Sequence, residues 1–343
     1  MSRSMFQIGP YDVIAELGRD ALGTTYLGRD TASALVAVTH IDEDLARDSR
    51  FREALDRAGP ALRTQDPNLV AVDVGVFGYG RFLASPYHES ATLGDLLAVT
   101  PTCEPAVLAR ILRDVLAGLA TAHESGHLHL HLSPDRILIG HDGVARVSEL
   151  GLAEACGIAN PGLTPYTAPH VLGEPLDARA DVFAIGAIAW SALTGHVLFA
   201  GRDESGTRER LLSLPVPPPS EVGAKPPSSW DEVILRALAR DPADRQASVH
   251  ELASALTAAI PDAATHAEVG LWVESTFTTA FARRREHIAN ATADTDPTDV
   301  PVCALREVPP PDRRRRFNTG TGRAVGLLVG AFAAGIAVAL VVS

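Results

Sequence analysis

The sequence predicts an α+β protein with a β-rich N-terminal part, a larger helical part, and one membrane-crossing helix at its far end. Three observations predict this. Residues 11–42 and 69–87 hold runs of β-type residues, while residues 105–259 are dominated by apolar residues at helical spacing. Strands followed by helices point to α+β rather than to alternating βα units. The third observation is the unbroken apolar run of nineteen residues from Ala324 to Val342, about the length that spans a bilayer.

Taken in order, residues 11–42 read as three strands, 45–64 as a helix and 69–87 as two further strands. Residues 105–126 form a long amphipathic helix, because Val107, Ile111, Val115 and Leu119 recur at four-residue spacing. Residues 137–147 alternate as a hairpin around Asp142-Gly143. Residues 181–195 are an apolar central helix, 204–213 a shorter one, and 230–239 and 248–259 close the helical part. The Pro-rich stretch 215–227 reads as a connection; its other reading is an SH3-type ligand.

Residues 267–288 form a further helix with Val269, Val273, Phe277 and Phe281 on one stripe and Trp272 beside it. It is expected to lie back on the helical part, leaving Arg283-Arg284-Arg285 solvated; docking of a partner is the alternative. Residues 290–312, rich in Asp, Thr and Pro, read as a flexible linker. Arg313 to Arg316 and Arg323 precede the apolar run, which keeps the large domain on the cytoplasmic side. Within that run Gly326 and Gly330, continued by Ala334, form a small-residue face suited to helix self-association.

Composition narrows the function classes. A net charge of −12 leaves no footprint for nucleic acid. The three cysteines, Cys103, Cys156 and Cys303, form no metal motif and no disulfide framework, which suits a reducing compartment. Met1 to Pro10 has no apolar run, so no signal peptide is expected, and no repeat of fixed period appears.

The chemistry-bearing segments come in a recognisable order. Leu128 to Leu138 reads LHLHLSPDRIL, Tyr11 to Gly28 contains LGRDALGTTYLG, Val36 to Thr39 reads VAVT, and Ser148 to Gly151 reads SELG. Gly162 to His170 reads GLTPYTAPH, Asp181 to Gly186 reads DVFAIG, and Asp241 to Arg245 reads DPADR. Together they resemble the Hanks-type serine/threonine protein kinase family over about residues 9–260. The corresponding family segments are HRDLKPxNIL, LGxGxxGxVY, VAIK, ADFG, GTxxYxAPE, DxxxxG and DPxxR. A single glycine-rich loop is weak as a signal; seven ordered matches are specific.

The resemblance implies a two-lobed kinase-like fold over 9–262, with an N-lobe of about 9–88 and a C-lobe of about 89–262. An accessory helix (263–289), a basic juxtamembrane linker (290–323) and the membrane span (324–342) follow. The same resemblance shows which reactive groups are replaced. The base Asp is His131, the phosphate-contacting Lys is Ser133 and the metal-binding Asn is Arg136. The strand lysine is Thr39, and the metal-binding Asp is Glu149, followed by Leu150 for Phe.

Leu17, Gly18, Asp20, Gly23, Thr25 and Ala37 line what the resemblance implies is a vestigial nucleotide cleft, with Asp20 for the middle glycine and Thr25 for the usual Val. One unit charge at about 4 Å is worth roughly 4 kcal/mol at an effective dielectric near 20, so Asp20 and Thr39 both disfavour a triphosphate. The family's helix glutamate falls on Arg57 without gaps, or on Glu53 with a short insertion. Asp181, Gly151 and Gly186 are kept. Arg245 loses its usual glutamate partner to His170 and is expected to find another acid or to stay half-solvated. Between Leu152 and Leu163 no Ser, Thr or Tyr is present to accept a phosphate, and Thr164 and Thr167 read as structural.

The resemblance, with these losses, implies a membrane-anchored serine/threonine pseudokinase. Such a chain is expected to be no enzyme, to hold no cofactor or metal, and to act as a regulatory or scaffolding partner of another kinase or signalling protein. Its place would be the inner face of a bacterial cytoplasmic membrane, single-pass, with the domain in the cytosol. The alternative is a weakly active or rewired serine/threonine kinase that still binds ATP and Mg, using Glu149 and His131. A nucleotide sensor without catalysis and a drifting copy without a selected role are the remaining readings.

Overall fold

The computed structural model describes residues 6–19, 22–78, 80–151, 163–172 and 176–293. The first lobe is an antiparallel sheet of six strands: β1 (Gln7–Ile8), β2 (Tyr11–Arg19), β3 (Gly23–Arg29), β4 (Leu35–Ile41), β5 (Asp73–Phe77) and β6 (Gly80–Pro86). Their order is β1-β2-β3-β4-β6-β5. Alternation sets what each face carries. In β4, Val36 and Val38 join Val13, Phe82 and Ala84 in one cluster, while Ile41 joins Leu55, Phe51 and Leu83 in another. Ala37 and Thr39 therefore share the Ile41 face. The helix expected over 45–64 is two, α1 (Glu43–Arg47) and α2 (Ser49–Leu62). Asp48 separates them: its extended backbone ends α1, and its carboxylate accepts the Arg50 and Phe51 amides to cap α2.

The second lobe begins with β7 (Ser90–Thr92) and α3 (Leu93–Val99), which are too short to show a period in the sequence. Thr92 and Asp95 close a reciprocal capping box that starts α3. Then follow α4 (Pro105–Glu124), the hairpin β8 (Ile137–Gly140) and β9 (Ala145–Val147), α5 (Arg179–Thr194), α6 (Glu204–Ser213), α7 (Asp231–Ala237), α8 (Val249–Ala259) and α9 (His266–Ala293). The apolar residues of α5 are buried on all sides, as befits a helix hydrophobic all round. Around it the Val107, Ile111, Val115 and Leu119 stripe of α4 is buried in the same core. Gly186 lets α5 approach α7 closely, since a Cβ there would meet that of Ala237 at 2.9 Å. The Pro-rich stretch is a connection: Trp190 Nε1 donates to the Pro217 carbonyl at 2.9 Å.

Three expectations change. Among the described residues no helix is long and apolar enough to cross a membrane, so what the structure describes is the two-lobed α+β domain alone, against the expected fold with an added span. The longest helix, α9, carries Glu268, Glu274, Arg283, Arg284, Arg285 and Glu286 along its length, which bars it from a hydrocarbon layer. Of the linker expected over 290–323, residues 290–293 complete α9; the rest, and the run Ala324–Val342 with Gly326 and Gly330, lie outside the described residues.

Arg245 is not half-solvated. It is 2% exposed, stacks over Phe183 at 4.9 Å, and donates to the carbonyls of Ala239, Arg240 and Arg179 and to His170 Nδ1. His170 can accept because one ring nitrogen of a neutral imidazole carries a lone pair. Finally, Val269, Val273 and Phe281 of the α9 stripe are buried and Phe277 partly so, but Arg284 and Arg285 are not solvated spectators: they bond Ser90 and Glu89.

Candidate functional site

The turn from His129 to Ile137 leads from α4 into β8. Asp181, the first acid of α5, fixes its start. One carboxylate oxygen accepts the His129 amide at 2.9 Å and His123 Nε2 at 2.8 Å; the other accepts the Leu130 amide at 2.8 Å. Burial works against the charged form of Asp181, yet these bonds and the nearby His123 and His129 rings hold its carboxyl below the usual carboxylate range. With both amides held, Leu130 takes a left-handed backbone, φ 62°. His129 donates from Nε2 to the Ser148 carbonyl at 2.9 Å. Ser148 donates its amide to the Arg136 carbonyl at 3.0 Å, so the turn is tied to the segment that follows β9.

On this frame three of the altered positions meet. Arg136 donates from Nε to Glu149 Oε2 at 2.8 Å and from Nη1 to Ser133 Oγ at 2.8 Å. Arg136 and Glu149 are each 3% exposed, and Glu149 has a left-handed backbone, φ 63°. His131 is buried in the same turn. A buried guanidinium would be costly alone and is stable here because a carboxylate and a hydroxyl receive it.

The strand and loop positions that the resemblance singled out lie in the sheet lobe. Thr39 is paired in register with Thr25, and their hydroxyls bond at 2.8 Å. Thr25 pairs in turn with Gly18. Leu17, Gly18 and Ala37 are half-buried, and Gly23 needs its lack of a side chain, because a Cβ would lie 1.9 Å from the His40 carbonyl. Asp20 lies outside the described residues, as do residues 152–162. Glu53 and Arg57 are both exposed on α2, so neither brings a buried acid to the site. The lobes are joined beside it, where Val147 donates to the Asn68 carbonyl and Val70 to the Val147 carbonyl.

The replaced residues were readable one by one; their mutual fit was not. Asn to Arg adds a cation, Asp to Glu lengthens the acid by one methylene, and Lys to Ser removes the competing cation. The signal available in the sequence was that inversion of charge at Arg136 together with an acid kept at Glu149.

The sequence profile of the protein kinase domain matches residues 11–256. The chain is 33% identical over 259 residues to the serine/threonine-protein kinase PknL of Mycobacterium tuberculosis, covering 72% of this chain and 65% of PknL. It is 30% identical over 279 residues to PknD of the same organism, covering 76% of this chain and 41% of PknD. To PknH of Mycobacterium bovis it is 31% identical over 272 residues, covering 76% of this chain and 45% of that protein. The chain thus spans less than two thirds of the length of these curated relatives.

Two expectations fall with these matches. The relatives are named serine/threonine-protein kinases, which overturns the expectation that the chain is no enzyme. It also overturns the expectation of no cofactor, because protein kinases work with ATP and magnesium. Leu17, Gly18 and Ala37 are half-buried on the sheet, and the Thr25 and Thr39 hydroxyls are buried against each other. Magnesium does not fit at Glu149, where the Arg136 guanidinium already occupies the carboxylate. Among the described residues no group of three or more His, Cys, Asp or Glu side chains is arranged for a metal ion.

Proposed function

Because the chain belongs to the Hanks-type serine/threonine protein kinase family, we propose that it is a rewired kinase of phospho-signalling. It binds ATP between its lobes without a divalent cation at Glu149 and acts on hydroxyl groups of a protein partner. The observation that carries this is the Arg136–Glu149–Ser133 contact. A decaying site leaves buried charge unpaired, at a cost of several kcal/mol per ion. Here the replaced side chains satisfy one another on a turn braced by Asp181, which supports a maintained site.

Each residue has a defined task in this reading. The Leu17 and Ala37 surface takes the base, and of the bonded Thr25–Thr39 pair the one hydroxyl proton not shared between them is donated to phosphate in place of the lost ammonium. Arg136, neutralised by Glu149, takes the carboxylate that a divalent cation would otherwise meet. His131 stands at the position of the family's proton acceptor; a neutral imidazole nitrogen accepts a proton from the attacking hydroxyl.

The test is transfer from radiolabelled ATP to a serine- and threonine-bearing protein by the purified chain and by its His131→Ala variant. Slow incorporation is expected, falling by about 10²-fold in the variant, the usual scale of a lost general base. Incorporation that survives unchanged in His131→Ala removes the assigned role of His131. No incorporation under conditions where ATP binds contradicts the transfer step.

A further inference from the structure

The helix α9 is anchored at one end on the helical lobe and reaches the sheet lobe at the other. Its start is fixed several times over. The Ala264 amide donates to the Ala106 carbonyl, Arg110 Nε donates to the Ala264 carbonyl, and His266 Nε2 bonds Asp114 at 3.0 Å. The hairpin turn between β8 and β9 abuts the helix backbone to backbone: a Cβ on Gly143 would lie 1.8 Å from the His266 carbonyl, and one on Gly270 2.3 Å from the His141 carbonyl. Val269, Val273 and Phe281 are fully buried in the core of that lobe.

Beyond the non-helical Phe277 (φ −116°, ψ 16°) the helix meets the segment that links the lobes, residues 86–90. Arg284 Nη1 donates to the Ser90 carbonyl at 2.9 Å. Arg285 pairs with Glu89 at 2.9 Å, and His141 bridges Glu89 and Glu274. One turn further, His287 Nε2 lies 3.2 Å from the carbonyl of Glu16 in β2, which belongs to the other lobe. A break in a helix at an identifiable residue is a place where its two halves can re-angle.

We propose that α9 is a strap across the junction of the two lobes, docked on the helical lobe through Val269, Val273 and Phe281, with its last turns from Arg284 onward clasping residues 86–90 and β2. The Arg284 and Arg285 contacts hold the linking segment and His287 reaches the Glu16 carbonyl of β2; together they are the clasp, and they set how far β2 separates from the helical lobe. Hinge closure between two rigid lobes is governed by the few contacts that cross the junction, and here the clasp lies directly on the linking segment.

Amide hydrogen exchange on the full chain tests this without any nucleotide, so its outcome is independent of the proposed function. The variants are Arg284→Ala with Arg285→Ala, the milder Arg285→Ala alone, Arg284→Lys, and Leu271→Ala as a control on an α9 residue that is 71% exposed. The double variant is expected to exchange about ten-fold faster in β2 and in residues 86–90, as for loss of a hydrogen bond to a charged group. The α4 and α5 amides keep their rates, Arg285→Ala shows a smaller effect at the same places, Arg284→Lys recovers part of the protection, and Leu271→Ala leaves it intact. Unchanged exchange in β2 overturns the strap. Acceleration spread through α4 and α5 also overturns it, since α9 is then part of the lobe's core rather than a clasp.

Discussion

Arg136 and Glu149 are buried together, and their 2.8 Å contact is the interaction on which the altered site depends. Removing one partner of such a pair leaves the other charge uncompensated, which costs about 3–5 kcal/mol. Arg136→Ala is therefore expected to lower unfolding stability in urea by about that amount. Arg136→Ala with Glu149→Ala should lose less than the sum of the two single changes, because the stranded charge is gone in the double variant. Additive effects would mean the pair contributes nothing as a pair. A second residue-scale prediction concerns pH. Burial holds the His129 imidazole below its ordinary range, outweighing the pull of Asp181. The unfolded chain, with a pKa of about 6.5, then binds the proton more readily, so stability rises with pH up to that value and is lost below it. The thermal midpoint should fall on acidification from about pH 6.5, and His129→Asn should flatten that slope. An identical slope in the variant would assign the acid sensitivity to other groups.

At the scale of elements, the strands of the first lobe and the helices of the second were legible because their periods differ, 2 against 3.6. The bounds of α6 match residue for residue. What the sequence concealed was local chemistry without a period. Asp48 divides one expected helix into two by its backbone and cap, and β7 with α3 is announced only by the Thr92–Asp95 box. The contact between α9 and the hairpin was equally hidden, since it depends on two glycines far apart in the chain, Gly143 and Gly270. That contact yields a prediction: Gly270→Ala should overpack it and cost about 1–3 kcal/mol. It should be seen as a lower thermal midpoint together with faster proteolysis around residues 266–293. Wild-type behaviour in both would show that the hairpin and helix can separate without penalty.

For the whole molecule, family and order of motifs were readable from sequence, whereas the state of the site was not. Counting replaced residues suggested loss; the structure shows Arg136, Glu149 and Ser133 arranged as one interaction, and the relatives are named kinases. That difference arises because a motif comparison scores each position against a family pattern, while burial and pairing decide whether a charge is tolerated. The central claim is that ATP enters a cleft whose cation at Glu149 is Arg136. Calorimetric titration of the full chain with ATP, once in EDTA and once in excess magnesium, tests it most directly. Binding is expected in both, with dissociation constants within about three-fold, well under the 1.4 kcal/mol that a ten-fold change represents. Binding seen only with magnesium, binding ten-fold tighter with it, or no binding in either condition would contradict the account.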